Sequence, residues 1–199
     1  VQVGDMERQG FGEFFRQWHA NCHGKRAAII DIRGNGGGFV AEHLIRFLSV
    51  PQLGTDVPLH GTPTIWPLNA LPQPRLLCLL VNENCYSDAD ALAFAFKKLQ
   101  LGVLVGTRTH GGLLSVTSEV SLVDGSDLCL PSHDFVPLKS TDSQRRQPDA
   151  ATARVENRGV QPDVVVEYGP TINSHPQTDP QLHAAIEYLR TKLAQSDGT

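Results

Sequence analysis

Ser87 stands at a junction of two contrasting stretches. Before it, Leu76–Val81 is an unbroken apolar run, the pattern of a strand buried on both faces of a sheet. After it, Leu92, Phe96 and Leu99 fall at i, i+4 and i+7 in a segment read as a helix over Ala89–Leu101, with lysines in its later turns and Gly102 as its stop. A serine at a strand-to-helix corner sits beside unpaired backbone N–H groups and the positive end of a helix dipole, which favour a developing negative charge. That is a setting for a nucleophile, although the local pattern alone favours a simple helix cap and only the rest of the chain reverses that preference. Cys85 is a second conceivable nucleophile, but it precedes the corner and is expected to pack.

A glycine run, Arg33-Gly34-Asn35-Gly36-Gly37-Gly38, follows another apolar stretch, Ala27–Ile32. Clustered glycines permit positive φ and let the backbone approach a ligand closely. The run lacks the dinucleotide fingerprint, and no Gly-Lys-Ser/Thr follows to make a phosphate loop. Two readings remain. It is a tight turn, or it is half of an oxyanion hole whose other half is an N–H beside Ser87. The eight histidines show neither HExxH nor paired-ligand spacing, so no metal and no cofactor are expected.

The elements that must hold these residues follow from periodicity. Ala27–Ile32, the glycine turn and a helix carrying Val40, Leu44, Phe47 and Leu48 form a strand–turn–helix unit, which Leu76–Leu101 repeats. Sheets built this way carry their sites beyond the carboxyl ends of the strands, where the glycine run and Ser87 both fall. Upstream, Val1–Val3 reads as a strand end, and Phe11, Phe14, Phe15, Trp18 and Cys22 make one face of a helix that Gly24 follows. Residues 51–75 are rich in proline and read as a long irregular connection. Val103–Gly106 is a third short strand, and Asp124-Gly125 between Val116–Val123 and Leu128–Leu130 signals a hairpin. Lys139–Ala153 is polar and reads as a surface loop. Val164–Tyr168 is a further strand, and Asp179-Pro180 caps and opens a last helix through Leu182, Ile186, Leu189 and Leu193.

With 199 residues, 40% of them hydrophobic, the expectation is one globular domain spanning 1–199. A net charge of -4 and a pI near 6.0 provide no basic field, so neither nucleic acid nor a membrane is an expected partner. Cys22, Cys78, Cys85 and Cys129 form no CxxC pair, which fits reduced thiols and a cytoplasmic setting. The chain opens without Met, straight into an apparent strand, and is read as a piece of a longer multidomain protein.

Taken in order, several blocks have a family likeness. Ile30-Asp31-Ile32-Arg33-Gly34-Asn35-Gly36-Gly37-Gly38-Phe39, then Asn82-Glu83 with Ser87-Asp88, then Gly106-Thr107-Arg108-Thr109-His110-Gly111-Gly112 and Val155-Glu156-Asn157-Arg158-Gly159-Val160-Gln161-Pro162-Asp163 resemble the serine-protease core of the tricorn proteases, relatives of the C-terminal processing proteases. The resemblance implies an α/β fold: a ClpP/crotonase-like core with ββα units, a small β-hairpin region and a C-terminal helix. It matches Ser87 to the nucleophile, the backbone N–H groups of Gly38 and Asp88 to the oxyanion hole, and Glu156 to an acid that orients and polarises the base. A Glu156 paired only with Arg158 is the structural alternative. By spacing, Asp56 matches an acid that selects basic residues before the scissile bond from across a subunit interface, which implies a homo-oligomer acting on peptides or unfolded polypeptides.

Two departures qualify the match. Gly112 stands where C-terminal processing proteases carry a lysine base, and the tricorn histidine belongs to a segment upstream of this chain. None of the histidines here occupies that position. His110 stands where the family more often has an aromatic residue, so packing is its expected role. The implied activity is a serine endopeptidase whose base comes from outside the chain, silent or nearly so by itself. The rival reading is a non-catalytic binding or assembly module that keeps the fold. A crotonase-like acyl-CoA enzyme shares the fold class but finds no support in these motifs.

Overall fold

The computed structural model describes residues 1–22, 24–50, 53–66, 76–138, 154–168 and 178–197. At its centre are β1 (Ala27–Asp31), β4 (Leu76–Val81), β5 (Val103–Gly106) and β8 (Val164–Val165), which form one sheet in the order β1-β4-β5-β8. All three pairings are parallel, with Ile30 opposite Leu79, Leu79 opposite Leu104 and Val105 opposite Val164.

The apolar run of β4 is buried because both faces of the sheet are covered. Leu77, Leu79 and Val81 face one core, which they share with Phe14 and Trp18 of α1 (Arg8–Asn21), Leu44 and Leu48 of α2 (Ala41–Ser49), and Leu92 and Phe96 of α3 (Asp88–Lys98). Cys78 and Leu80 face a second core with Ala185 and Leu189 of α4 (Pro180–Asp197). The alternation follows from the two-residue period of a strand. Each fully buried leucine contributes about 1.5–3 kcal/mol through removal from water, so β4 is held hard from both sides.

The first residues are two isolated bridges rather than a full strand. The Val3 N–H donates to Asp31 O (2.8 Å) and the Asp31 N–H to Val1 O (2.8 Å), after which the Met6 N–H donates to Gly37 O (3.0 Å) and the Phe39 N–H to Met6 O (2.7 Å). The helix starting at Asp179-Pro180 forms as expected, Asp179 Oδ1 accepting the Leu182 N–H at 3.0 Å. Asp179 also meets the Arg33 guanidinium at 2.7 Å, and Arg33 in turn pairs with Asp31 at 2.7 Å. This latch ties the start of α4 to the strand end from which the glycine run departs.

Further expectations need correction, among them the last strand, which covers Val164–Val165 rather than Val164–Tyr168. Leu99 lies past the last turn of α3 and is 41% exposed, because the chain already leaves the helix there. The left-handed residue is Gln100 (φ 54) rather than Gly102, whose role is to let the backbone pass close to the Leu77 carbonyl. Within the proline-rich stretch, β2 (Gly54–Asp56) and β3 (Thr64–Trp66) pair as an antiparallel hairpin. Asp124-Gly125 does turn a hairpin, β6 (Ser115–Ser121) with β7 (Asp127–His133), and Gly125 has φ 82. Val155–Val160 is a turn-rich segment, and the loop expected over 139–153 lies outside the described residues. No helix among the described residues is long and apolar enough to cross a membrane.

Candidate active site

Beyond β4 the chain makes a sharp turn, and Ser87 sits at its apex as the N-cap position of α3 with φ 57 and ψ -116. A non-glycine residue in that region carries strain of about 1–3 kcal/mol. Its side chain makes no capping hydrogen bond. The cap reading of the sequence is therefore not how the hydroxyl is used. The turn is held in place by neighbours: the Tyr86 N–H donates to Asn35 O (3.0 Å), the Ala89 N–H to Tyr86 O (3.1 Å) and the Ala91 N–H to Ser87 O (3.1 Å).

The glycine run packs directly on this apex. Gly37 has φ 98, and a β-carbon there would come within 2.7 Å of Ser87 Cβ and 3.0 Å of the Asp88 nitrogen. Gly38 has φ 147, and its other side is filled by the Met6 main chain. Asn35, fully buried, organises the loop: its Nδ2 donates to Val3 O (2.9 Å) and its Oδ1 accepts the Gly37 N–H (2.9 Å). Asn82 Oδ1 accepts the Gly34 N–H at 2.9 Å. In the bridge to Met6, the groups engaged are Gly37 O and the Phe39 N–H, which leaves the Gly38 N–H on the opposite side. Among the described residues, neither the Gly38 nor the Asp88 N–H donates a hydrogen bond.

Asp88 holds the two helices together at this point. Its Oδ2 accepts the Ala41 N–H at 2.7 Å, so it caps α2 while its own N–H opens α3. Burial pushes the Asp88 carboxyl above its ordinary value, and the N–H groups of Ala41 and Val40 partly offset that.

The third wall is the segment after β5. The His110 N–H donates to Cys85 O (3.0 Å), and the His110 ring meets the Tyr86 ring edge-on at 4.8 Å between centroids. This is the packing role expected of His110. Gly112 lies under Tyr86 so closely that a β-carbon would fall 2.0 Å from the ring. Glu156 Oε2 accepts the N–H groups of Leu113 (2.6 Å) and Leu114 (2.8 Å), while Oε1 has no partner among the described residues. No ion pair joins Glu156 to Arg158, whose carbonyl accepts from Arg108 Nη1 at 2.6 Å.

Ser87 and Asp88 thus lie against Gly37, the neighbour of Gly38, and Glu156 is tied to Leu113 and Leu114 of the segment whose Gly112 lies under Tyr86. Asp56 lies on the β2–β3 hairpin, exposed, and its carboxylate makes no hydrogen bond or ion pair among the described residues. Cys85 is fully buried, its Sγ donates to Ile32 O (3.1 Å), and burial pushes the thiol up to about 12, so it is no nucleophile. His23 and His175 lie outside the described residues. Sequence reasoning missed Asn35, Asn82 and Asp90. For Asn35 the available signal was a polar residue set between glycines, whereas Asp90 reads only as an acid in the first turn of a helix.

The sequence and the fold of this chain are both similar to those of known peptidases. The family model described as peptidase family S41 matches residues 1–166. The tricorn protease of Thermoplasma volcanium is 37% identical over 193 residues, which cover 97% of this chain and 17% of that protein. The crystal structure of the tricorn protease superposes with a TM-score of 0.78 at 36% identity, over 98% of this chain and 18% of that one. The photosystem II D1 C-terminal processing protease superposes with a TM-score of 0.50 at 25% identity, over 83% of this chain and 41% of that one. The sequence therefore spans about a sixth of the tricorn protease it matches. On the family match and this likeness, the chain belongs to peptidase family S41.

Proposed function

We propose that this chain is the catalytic core of a tricorn-type serine endopeptidase, with Ser87 as nucleophile. The reading is carried by the uncapped, strained Ser87 packed on the glycine run, where the backbone N–H groups of the flanking Gly38 and Asp88 have no acceptor among the described residues. Ser87 Oγ attacks the peptide carbonyl and its proton passes to a base. The carbonyl oxygen takes the negative charge and is held by the Gly38 and Asp88 N–H groups. Such a donor is worth about a hundred- to a thousand-fold in rate, because it meets charge that exists only in the transition state. Collapse breaks the C–N bond, the base returns the proton to the leaving amine, and water then cleaves the acyl–serine ester.

Glu156 presents its free Oε1 toward orienting that base, while Oε2 fixes it to the main chain. The base itself comes from outside the 199 residues. Gly112 supplies no lysine, Ser87 Oγ has no histidine partner among the described residues, and His110 is engaged with Tyr86. Asp56 selects Lys or Arg before the scissile bond, reaching the site of a neighbouring subunit in a homo-oligomer, which fits its exposure on the β2–β3 hairpin.

The test is hydrolysis of a basic fluorogenic peptide by the complete parent protein, by this chain alone and by Ser87→Ala. Turnover by the complete protein, its loss in Ser87→Ala and near silence of the isolated chain are expected. A complete protein that neither cleaves peptides nor is acylated by a serine-directed phosphonate would instead be a binding module on a protease fold. Robust hydrolysis by the isolated chain that disappears in His110→Ala would place the base within it.

A further inference from the structure

Asp90 is a fully buried carboxylate on the first turn of α3, the helix that begins beside Ser87. A buried polar group is expensive unless its hydrogen bonds are made, and an apolar residue would serve the packing of α3 as well. Its partners all lie in the segment after β5. Thr109 Oγ1 donates to Oδ1 (2.5 Å), the Gly111 N–H to Oδ1 (2.9 Å) and the Gly112 N–H to Oδ2 (3.1 Å).

The connections continue from there. Thr109 Oγ1 accepts the Val160 N–H (2.8 Å), and the Asn157 N–H donates to Gly111 O (2.7 Å), so the same segment is bound to the turn that carries Glu156. The next residues along it, Leu113 and Leu114, give their N–H groups to Glu156 itself. A short path of hydrogen bonds joined by single peptide links therefore runs from the helix of Ser87, through Asp90, to Glu156.

We propose that Asp90 is a positioning residue for hydrolysis: it fixes the distance between the nucleophile and Glu156 by pinning residues 109–112 to the nucleophile's own helix. This rests on the roles given to Ser87 and Glu156 above. Asp90 touches neither substrate nor the reacting atoms. Its effect falls on the chemical step, since catalytic geometry set wrongly by about an ångström lowers rate by roughly a hundred-fold. Substrate binding is left alone. Thr109 shares the role, because its hydroxyl is both donor to Asp90 and acceptor from Val160.

The experiment uses the complete parent protein and four variants: Asp90→Asn, Thr109→Val, Thr109→Ser and Ser87→Ala. Asp90→Asn keeps the shape and turns one acceptor into a donor facing a donor. Its kcat is expected to fall at least ten-fold with KM within two-fold. Thr109→Val is expected to behave alike, and Thr109→Ser, which retains the hydroxyl, to recover most of kcat. A purely structural role would lower the melting temperature and leave kcat of the folded protein unchanged, and that result overturns the proposal. So does an equal loss in Thr109→Ser and Thr109→Val. Should Asp90→Asn fail to fold, the two Thr109 variants decide alone. Ser87→Ala separates the two levels: activity retained there removes the nucleophile itself, whereas activity lost there with Asp90→Asn unaffected removes only the role of Asp90.

Discussion

Gly37 packs on the Ser87 turn with no room to spare: a single methyl group on Gly37 would lie 2.7 Å from Ser87 Cβ and 2.8 Å from the Tyr86 carbonyl oxygen. No real β-carbon tolerates either approach, and neither neighbour is a flexible side-chain end. The glycine is there because the loop must press on the turn.

Gly37→Ala is accordingly expected to damage both stability and rate. Its φ of 98 is strained for alanine before any contact is counted, so a loss of about 1–3 kcal/mol is expected. Displacement of the Ser87 turn should lower kcat of the complete protein at least ten-fold. Urea melts alongside steady-state kinetics check both, and wild-type values for each would show that the loop yields more easily than its packing suggests.

Ser87→Gly should stabilise the fold while abolishing hydrolysis. At φ 57 and ψ -116 a serine is strained, whereas glycine occupies that region readily. Relief of about 1–3 kcal/mol exceeds glycine's extra entropy loss of roughly 0.5–1 kcal/mol, which leaves a gain on the order of 1 kcal/mol. Ser87→Ala removes the same hydroxyl but keeps the strain, so thermal melts of the two variants should differ, with the glycine variant higher.

Acid should loosen the start of α4 through Asp179. Burial pushes that carboxyl up, but the bonds from Arg33 and from the Leu182 N–H outweigh it and hold the group below its ordinary value. A depressed carboxyl contributes stability that is present above the unfolded value of about 3.9 and is lost as pH falls through the lower folded value. Asp179→Asn should be less stable at neutral pH by about 1–3 kcal/mol, with the difference shrinking below about pH 4. Parallel urea titrations across that range would expose a constant difference if the latch were not responsible.

Selectivity should follow Asp56. If its carboxylate pairs with a basic side chain, loss of that charge-assisted bond removes about 1.5–3 kcal/mol of discrimination. Asp56→Asn should then narrow the preference for Lys or Arg over Leu or Phe by about ten- to a hundred-fold in kcat/KM. An unaltered ranking of the peptides would release Asp56 from any part in specificity.

Much of the core was legible in the sequence because burial on both sides of a parallel sheet leaves unbroken apolar runs, as in Leu76–Val81. Local chemistry also announced itself: Asp179-Pro180 opens α4, and Asp124-Gly125 turns a hairpin. The β2–β3 hairpin did not, since Gly54–Asp56 is exposed throughout and an exposed strand carries no apolar period. Ser87 and the glycine run stood out by residue type and by their place at the strand ends. Asp90 did not, because an acid in the first turn of a helix reads as a favourable charge on the dipole, and its true partners are residues 109, 111 and 112, brought over by the parallel pairing of β4 and β5.

The bridge between Met6 and Gly38 has one further consequence. In a parallel ladder alternate residues engage the neighbouring strand, and here Gly37 and Phe39 are engaged while Gly38 faces away. A slip of one position by residues 1–6 would pull Val3 and Met6, both buried, out of their places in the core. The burial of Val3 and Met6 therefore fixes the alignment of this short segment, and with it the choice of Gly37 and Phe39, not Gly38, as its bonded partners.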